Sequence, residues 1–146
     1  MAESLGVAAS IATLLDLSSK LLRYIMDTKH ASDDARRLAV ELRSTNKILA
    51  MLRDLTQNRS EEDLIRVEGT LQALSGTLTE LEKPLLRLES RLDSDKAMKW
   101  RATLVWPFHE REAREILAVV ERQKTSLGLA LQNVQMHVIP FEGARI

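Results

Sequence analysis

Three histidines are the residues best suited to acid–base or metal chemistry in this chain, and they stand far apart at 30, 109 and 137. His109 is followed by Glu110 in "FHEREARE". A zinc-binding helix needs a second histidine one turn away, and none is there. The pair reads as a solvated polar turn. Cysteine is absent, which removes disulfides, thiolate metal sites and a thiol nucleophile, and fits a reducing compartment. The five glycines, Gly6, Gly69, Gly76, Gly128 and Gly143, are dispersed and build no phosphate-cradling loop. No serine stands in a nucleophile elbow, a geometry that also requires a strand before the turn. The expectation is a protein without catalytic residues, cofactor, metal or small-molecule substrate.

Charge narrows the partners. Lysine plus arginine balances aspartate plus glutamate, 21 against 21, so bulk attraction to nucleic acid is not expected. The distribution is uneven. Residues 60–95 hold nine acids and four bases, whereas 96–146 hold five acids and eight bases. An acidic helix between basic ones reads first as charge matching within the fold. A basic face for acidic lipid headgroups is the functional alternative.

These side chains are carried on helices. The composition is rich in leucine, alanine, glutamate and arginine, and poor in glycine and proline. That describes long helices in one domain. The first is expected over about Ser4–Asp27. Val7, Ile11, Leu14, Leu15, Leu17, Leu21, Leu22, Ile25 and Met26 make a wide apolar arc on it. Ala9, Ala12, Thr13, Asp16, Lys20, Arg23 and Asp27 make the narrow opposite stripe. Its stretch Ser4–Leu15 carries no charge but is shorter than the roughly 20 residues a spanning helix needs. Glu3 ahead of it argues against a signal peptide.

Ser32 is a candidate N-cap for a second helix with Leu38, Leu42, Thr45, Leu49, Leu52 and Leu55 inward. Ser60 with Asp63 resembles a capping box for a third. Leu64, Val67, Leu71, Leu74, Leu78, Leu81, Leu85, Leu88 and Leu92 alternate spacings of three and four, an apolar heptad seam. Pro84 interrupts its backbone but not its phase, which predicts a kink, with a sharp turn near Lys83 as the alternative. Ser94 is a candidate cap for a short helix through Trp100 and Val105. Pro107 would close that helix and open the last one, in which Ala113, Ile116, Leu117, Val120, Leu127, Leu131, Val134 and Val138 face inward. Pro140 would end it. The expected fold is all-α: an antiparallel four-helix bundle over 1–139, with an additional short helix before the last long helix and a tail over 140–146.

Only five aromatic side chains exist, and Trp100, Trp106 and Phe108 fall within nine residues of one another. With Pro107 they read as a structural corner. Lys96, Lys99 and Arg101 beside the indoles also have the composition of a membrane-interface anchor.

Two stretches resemble a known family. "MAESLGVAASIATLLDLSSKLLRYI" looks like the opening of the fungal N-terminal domains of STAND proteins, also called HeLo-like. "LVWPFHEREAREILAVVERQKTSLGLALQNV" is similar to that family's Trp-Pro-Phe element and the Ser-Leu-x-Leu-Ala-Leu-Gln pattern, here Ser126 to Gln132. The resemblance covers about residues 2–135. It implies a helical effector domain of an immune-receptor-like (NLR-type) protein, placed ahead of a nucleotide-binding module that this sequence does not contain. More distantly it is similar to the four-helix domain of the mixed-lineage kinase-like pseudokinase and to plant receptor coiled-coil domains.

The implied activity is programmed cell death by oligomerisation and membrane permeabilisation. Leu5, Val7, Ile11, Leu14 and Leu15 would contact lipid, and Thr13 and Asp16 would face a lumen. Lys96, Lys99 and Arg101 are the headgroup candidates. The expected partners are further copies of the chain and membrane lipids, with a cytoplasmic protein moving to the plasma membrane when active. Two other readings stand beside this one. One is a helical adaptor that never meets lipid. The other is a coiled-coil scaffold dimerising on the Leu64–Leu92 seam.

Overall fold

The computed structural model describes residues 2–27, 32–57, 60–99 and 110–143, with the side chains of 6–27, 32–57, 60, 62–91 and 111–136. All the secondary structure among these residues is helical. The elements are α1 (Ala2–Asp27), α2 (Asp33–Gln57), α3 (Glu61–Arg66), α4 (Glu68–Lys99) and α5 (Glu110–Gly143).

The helix starts follow local chemistry. Ser32 Oγ accepts from Ala35 N at 3.1 Å, and Ser32 O accepts from Arg36 N. Asp33 and Asp34 sit in the first turn of α2, where the helix dipole favours acids. Ser60 Oγ accepts from Asp63 N at 3.3 Å and caps α3.

The third segment departs from expectation at Val67. Its backbone (φ −109°, ψ 17°) leaves the helical region and divides α3 from α4. Val67 N donates to Leu64 O in a tight turn, and Leu71 N donates to Val67 O. The interruption therefore leaves few backbone groups without partners. Leu64, Val67 and Leu71 keep their spacing across it, so the seam survives. The helix then runs on through Pro84 to Lys99.

Ser94 accordingly starts no helix. It lies inside α4, because the residues after it, Lys96 to Lys99, are good helix formers and the ladder simply continues. Among the described residues the one short helix is α3, ahead of α4; the later part of the short helix expected from Ser94 through Val105 falls on residues 100–109, which lie outside the described residues. Pro140 likewise does not end α5, which continues to Gly143. A proline removes one bond of the ladder without obliging the backbone after it to unwind.

The four long helices close a ring in which α1 packs on α2 and α4, and α5 packs on α2 and α4. Side-chain pairs give their directions. Arg91 with Glu112 and Thr70 with Asn133 run α4 against α5. Asp34–Arg114, Arg37–Glu121 and Glu41–Lys124 ascend together, so α2 and α5 are parallel neighbours. A ring with every neighbour antiparallel would not contain that pair. The chain must therefore cross the bundle between α2 and α4, and α3 lies on that crossing.

The core is a leucine seam from each helix. Ile11, Leu14, Leu21, Leu38, Leu42, Leu49, Leu52, Leu74, Leu78, Leu81, Leu85 and Leu88 are completely or almost completely enclosed. Each such side chain contributes roughly 1.5–3 kcal/mol by leaving water. On α1 one expected core residue is displaced: Met26 is 63% exposed and Tyr24 is buried in its stead. The arc narrows towards its end, where Met26 Sδ lies 3.4 Å from an Arg43 guanidinium nitrogen on α2.

Candidate functional site

The sequence places its most distinctive chemistry on α1, and the fold shows how that helix is held. Val7, Ile11, Leu14, Leu17, Leu21, Tyr24 and Ile25 are buried, and Leu15 and Leu22 are half-buried against them. Ala9, Ala12, Thr13, Asp16, Lys20, Arg23 and Asp27 are all exposed. Thr13 Oγ1 donates to Ala9 O at 3.0 Å, closing the hydroxyl onto its own helix.

Of the candidate lipid contacts, Val7, Ile11 and Leu14 therefore face the core in this state and Leu15 sits at its edge, while the Leu5 side chain lies outside the described residues. Thr13 and Asp16 share the outer face. Lys96 and Lys99 belong to the last turns of α4, with side chains outside the described set. Arg101, Trp100, Trp106, Pro107 and Phe108 lie outside the described residues altogether.

The fold also gathers what the sequence keeps apart. Three runs carry no Asp, Glu, Lys or Arg: Ser4–Leu15 on α1, Gly69–Thr79 on α4 and Thr125–Met136 on α5. The α4 and α5 runs face each other through the Thr70–Asn133 hydrogen bond. α4 packs on α1 as well as on α5, so the α1 run belongs to a helix next to this pair. An open groove there is bordered by Gly69, Thr70, Ala73, Ser126, Leu129 and Asn133. Leu129 at the groove and Met136 two turns along α5 stand 62% and 70% exposed.

The opposite half of the molecule holds the cross-helix ion pairs Lys20–Glu89, Arg37–Glu121, Arg91–Glu112 and Arg114–Asp34. A second groove there is lined by Pro84, Arg87, Arg91, Glu112, Glu115 and Ile116, with both signs of charge. Its mixed lining selects no single class of charged ligand. Among the described residues no group of three metal-ligating side chains converges, and no helix is long and apolar enough to cross a membrane.

Some residues that matter are invisible to a search for apolar positions. Ser18 is fully buried on α1. Lys124 occupies an inward position of α5 and pairs with Glu41 of α2, with side chains 30% and 20% exposed. The three-and-four spacing that runs through Val7, Ile11, Leu14, Leu21 and Ile25 passes through Ser18, and was the available signal.

Set against known proteins, the chain matches no family model, no curated protein and no solved structure. What the fold and this site define is a helical bundle with an amphipathic first helix and an uncharged groove between α4 and α5. The HeLo-like resemblance rests on the residues quoted for it.

Proposed function

We propose that this chain is a non-enzymatic, HeLo-like effector domain that permeabilises membranes when several copies are brought together. The fold we assign to it is a bundle whose four long helices alternate in direction along the chain. α1 is the active element. At rest its apolar arc is sheathed by α2 and α4. On oligomerisation it leaves, and its arc enters lipid while Ala9, Thr13 and Asp16 line a shared lumen. One copy cannot span alone, so the active form is a multimer. In this reading the protein moves from cytoplasm to plasma membrane, and its output is programmed cell death.

The observation that carries the reading is the make-up of α1. Its inner face is apolar from Val7 to Ile25 save for Ser18, and its outer face is small and uncharged from Gly6 to Thr13. A helix that stayed packed at a bundle surface would tolerate charge on that outer stripe. A helix whose leading half must enter lipid before a lumen has formed around it is penalised for it.

The absence of native cysteine allows a reversible test. Ser19 Oγ and Asn46 Nδ2 lie 3.5 Å apart between α1 and α2. A Ser19→Cys/Asn46→Cys pair, oxidised, ties the first helix down. Fused to an inducible oligomeriser and mixed with anionic liposomes, the oxidised protein should retain dye and the reduced protein should release it. Equal leakage in both states sinks the role of α1. No leakage from the parent under any oligomerisation favours the adaptor reading, in which the same bundle binds other helical proteins and never meets lipid.

A further inference from the structure

We infer that a polar layer across the middle of the bundle makes α1 the first element to open, and that the buried Ser18 hydroxyl sets how readily it does so. The inference rests on α1 as the working element and concerns how it is held. The inward positions of α1 follow one heptad seam: Val7, Ile11, Leu14, Ser18, Leu21, Ile25. Five are aliphatic. Ser18 alone is polar, it is 0% exposed, and its Oγ has no hydrogen-bond partner.

The neighbouring polar groups do not compensate. Thr45, fully buried on the facing α2, gives its hydroxyl to Glu41 O of its own helix at 2.7 Å. Asn46 reaches Ser19 Oγ at 3.5 Å, the long limit of a hydrogen bond, and its buried Oδ1 has no partner. One turn along α2, Glu41 pairs with Lys124, which ties α2 to α5 and leaves α1 out. At this level the polar groups hold α2 to itself and to α5. Of these groups only Asn46 reaches α1, through one long bond, and the Ser18 hydroxyl stays unmet; the Lys20–Glu89 pair to α4 lies at the surface, outside the seam. The corresponding seam of α4, Val67 to Leu88, is apolar without a break.

A buried hydroxyl without a partner forfeits the hydrogen bond it makes with water when exposed. That loss is recovered when α1 lifts. Beyond Ser18 only Val7, Ile11 and Leu14 remain on the described seam to hold the uncharged half of the helix. The device is a built-in weak layer under the segment that the proposed function requires to leave.

Native-state hydrogen exchange on the full chain reads this without any lipid. Amides of α1 between Val7 and Ile25 should exchange at least about tenfold faster than those of α4 between Leu71 and Leu88, as expected of a part that opens by itself. Ser18→Ala, which removes the hydroxyl, should slow exchange in α1 by roughly 5- to 30-fold. Ser10→Ala matches the gain in helix propensity on the same helix and should slow it only about twofold. The inference is overturned if α1 and α4 exchange at the same rate in the parent. It is equally overturned if Ser18→Ala slows α1 no more than Ser10→Ala. A protein that passes both tests but never releases dye retains the weak layer and loses the membrane function, so the two proposals fail separately.

Discussion

Leu14 and Leu15 are adjacent, chemically identical and equally placed on the apolar arc, yet the fold treats them differently. Leu14 is 0% exposed within the core cluster, whereas Leu15 packs against its edge, half-buried. Leu14→Ala removes three carbons from an enclosed site, a transfer loss of roughly 2–3 kcal/mol. The cavity left between α1 and its neighbours adds to it, for a total of about 3–4 kcal/mol. Leu15→Ala loses part of the transfer term and leaves no enclosed cavity, so about 1 kcal/mol is expected. For a domain of this size each kcal/mol moves Tm by roughly 2–4 °C. Leu14→Ala should therefore lower it by about 6–16 °C, and Leu15→Ala by about 2–4 °C. Urea denaturation followed by circular dichroism at 222 nm measures both, with the m-value checked for constancy. Equal losses at the two positions would refute the rotation of α1 described here, and with it the assignment of Ser18 to the buried seam.

Further outcomes follow from other contacts. Gly69, Gly76 and Gly128 lie within helices, and a Cβ at any of them would meet nothing within 4 Å; changing all three to alanine should raise stability by roughly 1.5–3 kcal/mol in a thermal melt. Ser32→Ala removes the cap of α2 and should cost about 1 kcal/mol, read as a drop in the urea midpoint. A double-mutant cycle on Glu41 and Lys124 should give a coupling of about 1 kcal/mol or more that survives added salt. The same cycle on the exposed Arg111–Glu115 pair should give at most about 0.5 kcal/mol, lost in salt. Pro84→Ala restores a donor for the Glu80 carbonyl, and should stabilise the bundle by about 1 kcal/mol in the same melt.

Much of this molecule is written in local chemistry. Ser32 and Ser60 mark helix starts because a side-chain oxygen next to unpaired amides needs no tertiary partner. The Leu64–Leu92 seam and the α1 arc declare helices because period alone specifies which face is apolar. Their failures are local as well. At Val67, Ser94 and Pro140 the structure departs from local preference because a single backbone bond, kept or lost, decides whether a helix continues, and neighbouring turns outweigh one residue's preference.

The candidate site was legible only as a list. Period identifies the inner face of α1, and residue type makes its outer stripe uncharged. Neither says that Leu14 is enclosed while Leu15 is at the rim, because that difference depends on where α2 and α4 stand. Spacing puts Ser18 on the inner seam, but only packing shows that its hydroxyl is fully enclosed. The parallel course of α2 and α5 has no local signature at all. It follows from which apolar faces find each other after the chain crosses the bundle, and it sets Glu41 beside Lys124. By itself the sequence determined the helices, most of their inward faces and the absence of charge from three separate runs, since these depend on neighbours a few residues away. Only the tertiary structure decided that the α4 and α5 runs face each other and that the Ser18 hydroxyl finds no partner beneath the first helix. Those facts depend on contacts between residues far apart in the chain, which no periodicity encodes.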